Sequence, residues 1–358
     1  MIKNLHVLRA VAALMVVYVH IGPEMRQVYD NFPMLVSGNA GVDIFFVLSG
    51  FLMVLTTEQS KLTPLVFYFH RIARIAPLYW AITTVICLAY VAGMKPIGVV
   101  DLPFDLVLRS YLFLPVERDG LYQPIVYVGW TLIYEVFFYF IFGAFVSLKD
   151  RVRASVMVTG IILALVLLPF VLRIENSTSA WFYTRPIMLD FVFGIWLARL
   201  SMRADLQRLP ASVSIGGILA GILLIVLPDI TPIPQLDGFI RPLTWGVGGS
   251  LIILVLIALE RQGRILDYPF LITIGSASYA IYLTHPLVLH LVSKIASRFA
   301  DFPVIFAAMT LIGGLGLILL VGVMSWRLLE APMHKLMRKW LSIYLLRANR
   351  GEATVQLR

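Results

Sequence analysis

Apolar residues run through this chain in long blocks separated by polar stretches, and the blocks have the length of helices that cross a bilayer. Ten of them predict helical spans at 5–22, 39–57, 74–93, 126–147, 153–172, 185–200, 212–228, 242–259, 271–292 and 304–327, the sixth being the shortest. The connections are mostly short, which predicts antiparallel neighbours in a bundle. No internal repeat and no soluble domain interrupts the pattern. The predicted fold class is therefore an all-α integral membrane protein, a bundle of about ten transmembrane helices. Residues 1–332 would form the transmembrane domain. Residues 333–358 would form a basic tail on the inner membrane surface, where Trp340, Tyr344 and leucines alternate with Lys and Arg. The longest outer connection, 94–125, contains the apolar stretch DLVLRSYLFLP, which predicts a re-entrant or interfacial piece and a place for an acceptor to bind.

Composition agrees with the pattern. Of 358 residues, 60% are hydrophobic and 14% charged, against about 25% charged in soluble domains. The net charge of +9 is spread over short loops, so it reads as a topology signal and not as a nucleic-acid surface. Counted with the N-terminus inside, the inner segments hold 18 of the 29 Lys and Arg and the outer segments 9. Both termini are thus expected in the cytoplasm. Cys87 is the only cysteine, which excludes a disulfide framework and a thiolate metal site. Lys3 followed by an apolar run imitates a signal peptide, but no A-x-A-like site follows, and the segment reads as a retained first helix.

Ionisable residues within the spans are the candidates for chemistry, because hydrocarbon penalises them. Arg9 and His20 share the first span, and eleven helical residues separate them by roughly 16 Å along the axis. One side chain is placed near each membrane face. His20, Asp43, Glu135, Asp190 and His285 come from five spans, and all fall in the outer half of the bilayer. Buried charges must pair or face water, so convergence on one polar cavity is the economical arrangement. Helix-to-helix ion pairs that only fix packing are the alternative. His285 and His290 are five residues apart and cannot chelate a metal together from one helix face. His6, His70 and His334 read as interfacial residues. On the inner side, FYFHRIARIAPLYW sets Arg71 and Arg74 one turn apart just before the third span, and Arg9 enters from the same side. Three arginines there suit either lipid phosphates or a soluble phosphorylated ligand, since guanidinium offers a rigid fork of donors. No P-loop or GxGxxG motif accompanies them.

Six strings carry a resemblance: Arg9-x10-His20; NAGVDIFFVLSGFLMV with Asp43, Ser49 and Gly50; Arg71-x-x-Arg74 with Pro77; GWTLIYEVFFY with Trp130 and Glu135; SYAIYLTHP with Ser278, Tyr279 and His285; and WRLLEAP with Trp326, Glu330 and Pro332. Together they resemble the membrane acyltransferase-3 family, in particular its exopolysaccharide O-acetyltransferases, over residues 5–332. Thr131 stands where a serine is frequent in that family. The resemblance implies an acetyl or other short acyl group moved from coenzyme A to a sugar hydroxyl, with no metal. It implies Arg9, Arg71 and Arg74 on the nucleotide end of acetyl-CoA, His20 as proton acceptor, and Glu135 orienting or charge-stabilising His20. Asp43, Ser49, Trp130, Asp190, Tyr279 and His285 would support the polar pocket. Whether the acyl group passes directly or rests on His20 or Ser49 stays open at this point. The expected partners are a saccharide acceptor, lipid-linked or not, membrane lipids, and polysaccharide-synthesis machinery or a second copy of the chain. A proton-coupled transporter of a glycan or small anion is the competing reading, since it too needs His and carboxylates near mid-membrane.

Overall fold

A computed structural model describes residues 2–341 apart from 27, 61, 95–100, 119, 173, 175–178, 232–237 and 300. Among the described residues fourteen α-helices follow one another: α1 Lys3–Met25, α2 Ala40–Thr57, α3 Pro64–Val91, α4 Phe104–Tyr111, α5 Trp130–Ala144, α6 Arg151–Val171, α7 Ser179–Tyr183, α8 Leu189–Arg203, α9 Ala211–Ile230, α10 Val247–Arg261, α11 Pro269–Ser276, α12 Ser278–Ala296, α13 Pro303–Ala308 and α14 Gly314–Ser325. The all-helical class holds. Among the described residues eight helices are long and apolar enough to cross a membrane, and a ninth results if α11 and α12, bent by 75° at Ala277, count as one span. The sixth predicted span is α8, whose 15 residues fall short of the roughly 20 that a bilayer core requires.

Several boundaries differ from the periodicity for identifiable reasons. The third helix begins at Pro64, ten residues before its apolar run, because Thr63 caps it (Val66 N donates to Thr63 Oγ1 at 3.4 Å) and Pro64 takes the first-turn position. Arg71 and Arg74 therefore lie within α3, not in a loop before it. The helix that begins at Pro303 continues through Pro332 to Leu341, so it passes the boundary drawn at residue 332. Most of the basic tail, residues 342–358, lies outside the described residues. In the outer connection, α4 buries Leu106 and Ser110 and exposes Phe104 and Leu108, which is the one-sided burial of an interfacial helix. A two-residue hairpin, β1 Glu117–Arg118 with β2 Leu121–Tyr122, follows it.

The centre of the bundle is α2, which packs most extensively on α8 and also meets α1, α5 and α10. Two glycines make that contact close. A side chain on Gly50 would strike the carbonyl of Phe191, and one on Gly194 would strike the carbonyl of Val47. Small residues facing each other let two backbones approach, which is how helices gain packing where lipid supplies no hydrophobic drive. Rings surround the joint: Phe191 stacks on Phe46 at 4.6 Å and on Phe138 at 4.3 Å between centroids. Below, the end of the bundle that holds the start of α1 is called basal and the opposite end distal.

Candidate active site

A cavity of about 360 Å³ opens among α1, α2, α3, α5 and α12. Its wall on α2 is one face of the helix, with Val42, Phe45, Ser49, Leu52 and Thr56 all on it. That spacing follows the 3.6-residue repeat over four turns, so the cavity extends along α2 for about 20 Å. The basal part is cationic, with Arg9, Arg71 and Arg74 in the wall beside His6. Glu135, Ser49, Tyr139 and Tyr279 line it further along, and Val42, Phe45, Phe46, Leu132 and Tyr282 make the distal part largely apolar.

Two of the arginines are held by neighbours that leave donors over. Arg9 Nη2 donates to Ser278 Oγ at 2.9 Å, and the bend at Ala277 is what brings Ser278 and Tyr279 to the wall at the first turn of α12. Arg71 lies over the rings of Phe67 and Tyr139, 5.6 and 6.0 Å from their centroids, and its Nε is buried with no hydrogen-bond partner among the described residues. Glu330, near Arg74 and Arg9, has a buried Oε2 that also lacks one among them. Glu135 accepts from Ser49 Oγ at 3.2 Å and from the hydroxyl of Tyr139 one turn further along α5. The Tyr279 hydroxyl donates to the carbonyl of Ile75 at 2.5 Å, tying α12 to α3.

His20 and His285 lie outside this wall. Their rings meet edge to face, 4.8 Å between centroids, and Tyr127 packs on His20 at 5.7 Å. Both rings have Nδ1 on the carbonyl four residues back, His20 on Val16 at 2.8 Å and His285 on Ile281 at 3.3 Å. A carbonyl can only accept, so Nδ1 carries the hydrogen in each ring and Nε2 has the lone pair in the neutral form. His20 is half-buried, whereas His285 is fully buried and its Nε2 has no hydrogen-bond partner among the described residues. Tyr282 touches both places: it lines the cavity, and its ring centre lies 5.8 Å from that of His285. Its hydroxyl donates to the carbonyl of Val128 at 2.7 Å and accepts from Thr131 at 2.9 Å.

The carboxylates do not converge on one pocket. Arg241 binds Asp43 through two parallel contacts, Nε to Oδ1 and Nη2 to Oδ2, both 3.0 Å, and its guanidinium lies 5.1 Å from the Trp245 ring centre. Asp190 is fully buried beside Asp43 and Arg241. Of the residues singled out from the sequence, Arg9, Arg71, Arg74, Ser49, Glu135 and Tyr279 therefore share the cavity. His20 and His285 form a separate pair, Asp43 and Asp190 a separate ion cluster, and Trp130 packs edge-on to Tyr134 at 5.9 Å. Glu135 makes its hydrogen bonds to Ser49 and Tyr139 and none to His20. Tyr139, Tyr282, Ser278 and Arg241 were not singled out as site residues. The Glu135–Tyr139 spacing of four was a signal available for the first, whereas Arg241 had been counted only as an outer-loop base. Among the described residues no group of three His, Cys, Asp or Glu is arranged to hold a metal ion.

A family model described as an acyltransferase domain, acyltransferase-3, matches residues 2–326. The chain is 31% identical over 307 residues to the exopolysaccharide production protein ExoZ of Rhizobium meliloti, covering 83% of this chain and 89% of the relative. It is 29% identical over 279 residues to the acyltransferase MdmB of Streptomyces mycarofaciens, covering 70% and 68%. A Staphylococcus aureus protein provisionally named an O-acetyltransferase is 24% identical over 371 residues, covering 93% of this chain and 57% of that longer protein. No solved structure matches the chain with significance. A basic, half-apolar cavity inside a helical bundle, with proton-accepting side chains along it and beyond it, is thus carried by a chain that belongs to the acyltransferase-3 family and is an acyltransferase.

Proposed function

We propose that this enzyme moves an acetyl group from acetyl-CoA to a hydroxyl of a cell-surface polysaccharide or its lipid-linked precursor. The observation that carries this reading is the graded cavity: guanidiniums at the basal end, an apolar distal end, and a length of about 20 Å between them. Coenzyme A has the same grading, with phosphates at one end and a thin arm ending in a thioester at the other. The unpartnered Nε of Arg71 supports phosphate binding there, since a buried donor without an acceptor is costly unless a ligand supplies one. Arg9 and Arg74 complete the cationic wall. The excess of Lys and Arg at the basal side supports its facing the cytoplasm, where coenzyme A is found.

His20 is the base in this reading. Its Nε2 lone pair can take the hydrogen of an attacking hydroxyl at neutral pH. In this reading the Tyr282 ring, which lines the cavity and packs on His285, moves aside to let the acyl group reach His20. Glu135 serves the donor side, where it holds the hydroxyls of Ser49 and Tyr139 along the path of the arm. The polysaccharide acceptor follows the naming of the exopolysaccharide relative.

The test is to incubate purified protein in detergent with radiolabelled acetyl-CoA and de-esterified surface polysaccharide from a strain deleted for this protein. Labelled, base-labile ester on the polysaccharide is expected from the native protein, and a loss of about a hundredfold or more from His20→Ala. Polysaccharide that stays unlabelled would overturn the assignment.

A further inference from the structure

His285 is fully buried and is not one of the residues that line the cavity. Its Nδ1 is committed to the carbonyl of Ile281, so the bare nitrogen is Nε2, buried and without a donor. An imidazole used only for packing has no reason to leave its lone pair unanswered, since that omission costs stability. The ring in contact is His20, 4.8 Å between centroids and edge to face. In the neutral tautomer set by Val16, His20 has no hydrogen on Nε2 to offer. It gains one only when it is protonated.

We propose that His285 is a positioning residue for the base, accepting on its Nε2 the hydrogen that His20 acquires on Nε2 during transfer, so that the two imidazoles hold one proton between them. This rests on the acyl-transfer reading above. In the step, the acceptor O–H bond breaks and its proton goes to Nε2 of His20. The acceptor oxygen bonds to the acyl carbon, and the bond from that carbon to sulfur breaks. The thiolate leaves with the electron pair, and the proton is shared between His20 and His285 until the half-buried His20 releases it. A second imidazole is suited to this because its lone pair strengthens the imidazolium as it forms, without placing a fixed charge in the apolar interior. The surroundings favour a neutral acceptor: the other rings packed on the pair are the uncharged Tyr127 and Tyr282.

The test compares His285→Gln and His285→Phe with the native enzyme, using labelled acetyl-CoA and the de-esterified polysaccharide, with kcat and KM separated and acetyl-CoA affinity measured by calorimetry. The expected result is a fall in kcat of about tenfold or more for His285→Phe, with KM for acetyl-CoA and its affinity within about twofold of native. His285→Gln keeps an acceptor oxygen and is expected to retain a larger share of kcat. If His285→Phe turns over at the native rate, or if both variants lose kcat equally while acetyl-CoA affinity falls with it, His285 only packs and the proposal is overturned. If the native protein forms no ester at all, the acyl-transfer reading fails and this proposal fails with it.

Discussion

Arg71 illustrates how much at this site depends on single side chains. Stacked on Phe67 and Tyr139, its guanidinium keeps its plane while the Nε edge faces no protein acceptor. A lysine there would keep the charge and lose both the fork and the stack. Arg71→Lys is therefore expected to weaken acetyl-CoA binding almost as much as Arg71→Ala, by about tenfold or more in calorimetry. Arg109→Ala, on the exposed α4, should change it by less than twofold. Asp43 and Arg241 show the opposite case, an ion pair made through two contacts with the carboxylate fully buried beside Asp190. Removing one partner takes away both contacts and leaves a buried charge poorly balanced, at a cost of about 3–5 kcal/mol. Asp43→Asn and Arg241→Met should each lower the melting temperature in detergent, and the double variant should recover part of the loss. The sequence made Asp43 visible as a charge inside a span, yet it gave no sign of its partner, because 198 residues separate the two and only the packing of α2 against the turn before α10 joins them. The same limit separated Glu135 from His20: depth along each helix was readable, azimuth around it was not.

At the scale of elements, the joint between α2 and α8 is set by backbone proximity and not by side-chain volume. Gly50 and Gly194 have no room for a β-carbon, so Gly194→Leu must separate the helices or distort them, at about 2 kcal/mol or more. The expected outcome is a lower yield of monodisperse protein and a lower melting temperature, and an unchanged melt would show that the helices can part without loss. Apolar periodicity located most of the long helices to within a few residues, since length and hydropathy are local properties. It misjudged α3, whose first turns carry the polar HRIAR segment although Thr63 and Pro64 mark its start. It also merged α11 with α12, because a 75° bend at Ala277 leaves the run of apolar residues unbroken. Nine arginine, serine, glutamate and tyrosine positions that do assemble in one cavity, Arg9 to Tyr282, were in motifs already marked; their grouping came only with the bundle.

At the scale of the whole molecule, the uneven distribution of basic residues predicts how the bundle sits in its membrane. Arg208 is exposed at the basal end, while Asp30 follows α1 at the distal end. In a Cys87→Ser background, Asp30→Cys should react with an impermeant maleimide on spheroplasts, and Arg208→Cys only after the membrane is opened. The reverse labelling would turn the protein over and put its basic cavity on the wrong side for a cytoplasmic donor.

The bond network that keeps Tyr282 in place has a consequence for the cell. An enzyme that takes a substrate from one compartment and delivers part of it to another risks becoming a leak, since any water-filled path open at both faces would dissipate the gradients that the membrane maintains. In the proposed transfer, the aromatic ring that touches both the cavity and His285 would keep the passage a dead end while idle, so that energy coupling across the membrane would be exposed only for the brief interval in which the ring stands aside.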